Sequence, residues 1–346
     1  MPQKICVTEN REVNYVDYVE DELGKNEVLI ETEYASGKHG TMLAMLDNEN
    51  FIGYKYDLDQ RIFLPENNKK KEEEKTILDI GTTGVGVIKK IGQEVDQWTV
   101  GDRVFGLMGV RETNICDQDQ VWKLGDIDPL EALCIEPAYV SFHCIRESKV
   151  RYGDSIAVIG LGAIGLLTVN MAYRTGAQRV IAVDPIKKRR ECAKNLGADL
   201  VLDPMSCNVG LECHKVTNGK GVDVAIELAG KYEALQAAIK ASRLKGTVCS
   251  AGFYQGEAEK LWLGQEWHHN MLQMIVPHGC GWGHNPREYP AWDEKRAYDC
   301  MAELLKKRYL RASGVIDPVV SFAEFEEIFS SIESEPEEVI KYAVKF

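Results

Sequence analysis

The chain is short of positive charge: 41 Lys and Arg stand against 54 Asp and Glu, for a formal net charge of −13. A surface of that sign repels phosphate backbones and anionic headgroups, so neither nucleic acid nor a membrane is an expected partner. Long apolar runs are missing too, none approaching the roughly 20 residues of a bilayer span. The opening stretch MPQKICVTENREV has no apolar core of the kind a secretory leader carries, and a cytoplasmic location is expected. Ten cysteines are present, yet none forms a C-x-x-C pair. A zinc ribbon or redox dithiol needs close spacing, so these read as reduced, buried thiols. No internal repeat is evident.

The 346 residues, 45% hydrophobic and 27% charged, suffice for two domains. Residues 1–150 read mostly as strands and turns, with EVLIETEYASG, GVGVIKKIG and GDRVFGLMGV punctuated by glycine. The block PENNKKKEEEK has no apolar face and reads as a solvated loop, a lid being the other reading. From about residue 153 strands and helices alternate. SIAVIG, RVIAVD, DLVLD, VDVAIELA and GTVCSAG are strands; AIGLLTVNMAYRTG, IKKRRECAKNLG and KYEALQAAIKASRL are helices. That rhythm predicts an α/β, doubly wound parallel sheet. The segment AWDEKRAYDCMAELLKKRYL followed by VIDPVVSFAEFEEIFSSI offers helices, and IKYAVKF a strand-like tail.

The run AVIGLGAIGLL sets Gly160, Gly162 and Gly165 in the G-x-G-x-x-G spacing, after a strand and opening a helix. The first glycine permits the tight turn, the second the approach of a pyrophosphate, the third close helix–strand packing. The amides at the helix start, with Ala163 and Ile164, then face the phosphates. Asp184 ends the next strand, where its carboxylate can accept bonds from both ribose hydroxyls and would repel a 2′-phosphate. NAD is therefore expected over NADP, although Lys187, Lys188, Arg189 and Arg190 form a basic cluster that could reach the nucleotide.

The order VGDRVFG, IEPAYVSFHCI, GDSIAVIGLGAIGLL, TNGKGVDVAIELAG and VIDPVVSFAEFEEIF resembles the medium-chain dehydrogenase/reductase superfamily over nearly the whole chain. The resemblance implies a GroES-like β-barrel catalytic domain, residues 1–150 completed by 285–346, and a Rossmann domain, residues 151–284. It also implies that Gly252 lies beside the nicotinamide in the cleft between them, and that the chain is a homodimer or homotetramer. The zinc pattern of the family is degenerate. Its ligand cysteine is replaced by His39 in GKHGTM, its Gly-His-Glu by Thr82 and Thr83, and its four-cysteine lobe is missing, with only Cys116 in that region. Glu136 survives, as does Thr41, where relatives keep a proton-relaying hydroxyl. Were zinc present, His39 and Glu136 would be ligands, and Cys134, His143 or a residue of EWHHN would have to complete the set.

Without a metal, a general base must take the hydroxyl proton, and imidazole suits that task near neutrality. The expectation is that His39 does so, directly or through Thr41, while Glu136 orients the imidazole. The bland alternative leaves His39 bonded within its turn and Glu136 capping a helix. Lys38, His268, His269 and Asn270 are the expected substrate contacts; by the resemblance QEWHHN approaches the cleft, while a patch at the dimer edge is the other reading. His278 and His284 read as structural. The expected activity is NAD-dependent oxidation of a secondary alcohol in a sugar, polyol or related small molecule, without catalytic zinc. The alternative is a zinc-free NAD(P)H-dependent reductase of quinones or activated alkenes; a non-catalytic nucleotide-binding protein is a third reading.

Overall fold

The computed structural model describes residues 1–38, 40, 42–43, 46, 54–65, 77–277 and 285–346. The front of the chain forms β1 (Gln3–Thr8), β2 (Val13–Asp17), β3 (Glu27–Ser36), β4 (Tyr54–Asp57), β5 (Ile62–Pro65), β6 (Ile77–Asp79), β7 (Thr83–Ile91), β8 (Arg103–Gly106), β9 (Thr113–Asp117) and β10 (Val121–Lys123). β3 organises them. Its apolar side chains Val28, Ile30 and Ala35 are fully buried, and it pairs antiparallel with both β7 and β9. The expected strand in GDRVFGLMGV is shorter than read, ending at Gly106.

A short helix α1 (Pro129–Ala132) leads into α2 (Ile135–Glu147), and the second sheet follows. It comprises β11 (Ser155–Ile159), α3 (Ala163–Arg174), β12 (Arg179–Val183), α4 (Lys187–Leu196), β13 (Leu200–Leu202), α5 (Val209–Val216), β14 (Val222–Glu227), α6 (Tyr232–Ala241), β15 (Ser242–Ser250) and β16 (Gln273–Ile275). Among the described residues the strand order is β13-β12-β11-β14-β15-β16, every pair parallel. This is the doubly wound sheet that the alternating pattern predicts. α4 stops at Gly197, whose φ of 117° is the left-handed conformation glycine adopts without strain. α6 ends earlier than KYEALQAAIKASRL suggests. Ser242 turns extended, its Oγ donates to Ala238 O at 2.8 Å, and pairing with Val222 begins.

The chain then returns to the front sheet. After α7 (Glu294–Lys306), β17 (Val319–Ser321) precedes α8 (Phe325–Ser334), and β18 (Ala343–Lys345) inserts antiparallel beside β3. So VVS is a strand where helix was expected. α2, buried along most of its length, packs against α3, making the front of the molecule and the nucleotide helix one body. No helix of the described residues is long and apolar enough to cross a membrane.

Candidate functional site

In a parallel sheet all strands deliver their following loops to one end, and here that end collects the glycine-rich turn, Asp184 and two further loops. Gly160, at φ 92°, donates to Val183 O at 2.9 Å. A Cβ on Gly165 would fall against Gly160 O, so only glycine fits between helix and strand. A Cβ on Gly162 would meet nothing within 4 Å, and the α3 N-terminus it begins has no side-chain cap. The turn is therefore closed behind and open in front, with the first amides of α3, Ala163 and Ile164, presented there. A dinucleotide's pyrophosphate fits that cradle.

Asp184 is buried, its Oδ2 accepting from Leu161 N and its Oδ1 from Ile186 N, both at 2.8 Å. The carboxylate thus braces the glycine turn, and each oxygen keeps a lone pair for a further donor. The basic cluster beside it is largely committed elsewhere. Lys188 pairs with Asp317 at 2.7 Å, and Arg190 donates to Asp184 O at 2.7 Å and pairs with Asp203 at 3.2 Å. Arg189, expected at the cofactor, instead donates to Pro336 O at 3.2 Å and Val339 O at 2.9 Å. Its guanidinium thus bonds the returning C-terminal segment, while its buried Nε has no partner among the described residues and remains within Coulombic reach of Asp184.

Glu227 ends β14 and ties the neighbouring loops together. Its Oε1 accepts from Ala229 N at 2.7 Å and Gly230 N at 2.9 Å, its backbone oxygen accepts from Ala251 N and Gly252 N, and Oε2 takes the Tyr254 hydroxyl. Burial raises its carboxyl pKa, while those donors oppose the shift. Gly252 lies against Gly230, with no room for a Cβ. The sequence reading missed Glu227; an acid closing the apolar strand VDVAIE was the available signal.

Ahead of the nucleotide sheet, α2 carries Glu136 in its first turn. Glu136 Oε1 forms an ion pair with Lys38 Nζ; their side chains are 10% and 27% exposed. Glu136 Oε2 is buried without a hydrogen-bond partner among the described residues. Five residues further along α2, the Ser141 hydroxyl shares its proton between Pro137 O at 2.9 Å and Ile164 O at 2.8 Å. Five residues rise about 7.5 Å in a helix, so the ion pair lies within one or two turns of the phosphate cradle. Lys341 Nζ, fully buried, donates to Gly37 O at 2.8 Å, and burial lowers its pKa to about 8. Ser36 Oγ donates to Tyr342 O at 2.6 Å, and the buried Tyr342 hydroxyl lies against Gly37 without a partner among the described residues. The tail thus fixes the turn bearing Lys38, a role that sequence reading did not assign to Lys341.

His39 and Thr41 lie outside the described residues, as do His278 and His284. Thr82 N and Thr83 Oγ1 donate to Ser36 O and Leu133 O at 2.8 and 2.9 Å. Among the described residues no three His, Cys, Asp or Glu are grouped to hold a metal ion. Cys134 is a buried thiol raised to about 12 by desolvation, and His143 sits between Tyr139 and Phe142, 3.6 Å from Glu147. Of the two ligands that the resemblance would give a zinc, Glu136 is thus described with Lys38 as its partner, and His39 lies outside the described residues.

His268, His269 and Asn270 are not brought to the cleft. Asn270 O accepts from Lys245 N at 2.7 Å, and β16 then runs parallel to β15 from Gln273 opposite Thr247. They therefore precede a parallel strand and lie at the sheet's opposite end. At about 3.3 Å per residue, the Lys245–Ser250 stretch alone separates them from the Gly252 loop by roughly 16 Å. Within this subunit they are therefore not brought beside the loops of Gly160 and Gly252.

Comparison with known proteins agrees with this architecture. The family model described as zinc-binding dehydrogenase matches residues 163–293. D-guloside 3-dehydrogenase of Escherichia coli is 34% identical over 351 residues, spanning 99% of this chain and 100% of the relative. Sorbitol dehydrogenase of Bacillus subtilis is 32% identical, over 50% of this chain and 58% of its own. The crystal structure of 2R,3R-butanediol dehydrogenase from Bacillus subtilis superposes with a TM-score of 0.75 at 21% identity, covering 100% of both chains, and shows the same GroES-like plus Rossmann fold. By a relationship that runs the length of the sequence, the chain belongs to the medium-chain dehydrogenase/reductase superfamily.

Proposed function

We propose that this protein is an NAD-dependent dehydrogenase that oxidises a secondary alcohol of a sugar, polyol or related hydroxylated small molecule, without catalytic zinc. The observation that carries the reading is a charged, half-buried Lys38–Glu136 pair joined through α2 and Ser141 to an open glycine cradle. Gly160, Gly162, Ala163, Ile164 and Gly165 would hold the pyrophosphate, Asp184 the adenosine ribose, and the Gly252 loop the nicotinamide side. The bound nicotinamide supplies the hydride acceptor. The chain must then bind the alcohol and take its proton. His39, directly or through Thr41, is the proposed acceptor of that proton, next in sequence to Lys38. Support for NAD over NADP comes from Asp184 and from the ion pairs and tail contacts that occupy Lys188, Arg189 and Arg190. The relatives named for a guloside and for sorbitol support a hydroxyl-rich substrate. A cytoplasmic homodimer or homotetramer completes the reading.

Quinone or alkene reduction needs no group to take a hydroxyl proton, and the buried ion pair favours the alcohol instead. Absorbance at 340 nm, with NAD or NADP against a panel of polyols and sugars and with NADH or NADPH against quinones, tests this. Metal analysis and a chelator arm accompany it. NAD reduction by a polyol that survives chelation is expected; quinone turnover alone, or activity lost with a stoichiometric metal, overturns it.

A further inference from the structure

The net charge of −13 is not spread evenly over the fold. Residues 151–275 hold 15 Lys and Arg against 12 Asp and Glu, which leaves 26 against 42 for the rest of the chain. Within that segment the topology sorts the charge further. All strands of the parallel sheet begin at one end, the end away from the loops of Gly160 and Gly252. Exposed cations stand there along five neighbouring strands. Lys149 and Arg151 precede β11, Arg174 precedes β12, Lys194 precedes β13, Lys220 precedes β14, and Lys245 lies on the bulge of β15. Helix C-termini favour cations, which accounts for Arg174 and Lys194 in the last turns of α3 and α4 but not for the other four. The acids beside them are engaged: Asp154 accepts from Arg151 N, Asp199 from Val180 N, and Asp223 from Ser155 N and Arg243.

Two tyrosines are set among these cations. Tyr152, 89% exposed, lies against Gly176, and Tyr173, 51% exposed, lies against Gly197, so the two rings bridge the loops before β11, β12 and β13. The Arg174 guanidinium stands 5.8 Å from the centre of the Tyr173 ring. We infer that this end of the sheet binds single-stranded nucleic acid, with phosphates along the row of cations and bases stacked on Tyr152 and Tyr173. Strands lie about 4.8 Å apart, so the five span roughly 19 Å, enough for a short run of nucleotides. An anionic membrane offers phosphates but no rings to stack, and a duplex keeps its bases stacked on one another. Solvent-facing tyrosines beside guanidinium groups therefore favour the single strand. The exclusion of nucleic acid drawn from net charge holds for the acidic lobe and not for this end. The surface is separate from the cofactor cradle, and the inference does not depend on the dehydrogenase reading.

The test is fluorescence anisotropy of a labelled single-stranded RNA of about 12 nucleotides, titrated with the full chain. Excess NADH is present throughout, so that a nucleotide pocket cannot account for the signal. Neutralising four phosphates predicts an affinity that falls roughly fifty-fold between about 50 and 200 mM salt. Tyr152→Ala should weaken binding by about five-fold or more, the scale of one lost stacking contact, with the salt dependence unchanged. Lys220→Glu should weaken binding and flatten the salt dependence. Lys89→Glu, on β7 of the front sheet, should bind within about two-fold of wild type. Thermal melting checks that each variant folds, and Tyr173→Ala repeats the stacking test should Tyr152→Ala not fold. Absence of binding at low salt overturns the inference. So does tyrosine replacement without effect, equal affinity for a duplex of the same sequence or for phosphatidylserine vesicles, or a loss in Lys89→Glu as large as that in Lys220→Glu.

Discussion

Lys341 Nζ lies 2.8 Å from Gly37 O and is wholly enclosed, so the last strand of the chain fastens the turn that opens the candidate site. An ammonium without solvent is held at a cost, and burial lowers its pKa from 10.5 to about 8. Between those two values the unfolded chain keeps a proton that the folded one has released. Stability contributed by this group therefore rises with pH across that window, and below it the buried charge is a constant penalty. Lys341→Met removes the titration. Urea unfolding of both proteins between pH 7.5 and 10.5 should show the wild type gaining on the variant, by an amount on the order of 3 kcal/mol at most. A difference independent of pH would mean that Lys341 is not a buried cation.

Asp184 and Arg189 should separate cleanly when replaced. Asp184→Asn loses a charge that braces the Leu161 amide and, on the proposed reading, the acceptor for the ribose hydroxyls. Its KM for NAD should rise by about ten-fold, and the NAD-to-NADP preference should narrow. Arg189→Ala instead frees the carbonyls of Pro336 and Val339. Its cost should appear in stability, about 1–3 kcal/mol by denaturant unfolding, with KM for NAD within about two-fold of wild type. A large KM effect without loss of stability would return Arg189 to the cofactor.

His268→Ala and His269→Ala should change kcat/KM by less than about two-fold. Both side chains are exposed at the end of the sheet away from the loops of Gly160 and Gly252, and His269 Nδ1 is engaged with Gln265 O at 3.1 Å. Steady-state kinetics on the best alcohol of the panel decides this. A loss of ten-fold or more would show that they reach a substrate, by a route other than this subunit's cleft.

These contrasts mark what the sequence discloses. The nucleotide sheet was legible because strand and helix periods differ and because Gly160 and Gly165 each answer a local steric demand. Local pattern also identified Asp184, which closes a strand. Arg189, His268 and Lys341 were not legible, since their partners lie far along the chain: Val339 for Arg189, Gly37 for Lys341, and the parallel register of β16 for His268. A polar cluster before an apolar strand says nothing about which end of the sheet it will occupy. Glu136 lies between these cases; motif order singled it out, but its pairing with Lys38 needed the fold to bring residues 38 and 136 together.

The glycines of the cradle offer the sharpest separation of folding from binding. Around Gly165 the backbone of Gly160 leaves no space, so Gly165→Ala must push helix and strand apart. Close-packed interiors do not absorb such a shift, and overpacking typically costs about 1–3 kcal/mol. Around Gly162 nothing lies within 4 Å, so Gly162→Ala should fold with an unchanged melting temperature. The methyl group would occupy the space through which a pyrophosphate approaches the α3 amides. Titration of NADH fluorescence should therefore show binding weakened by about ten-fold or more in Gly162→Ala. Thermal melting without cofactor should show the loss in Gly165→Ala instead. Unweakened NADH binding by Gly162→Ala would mean that the cofactor does not lie across this turn.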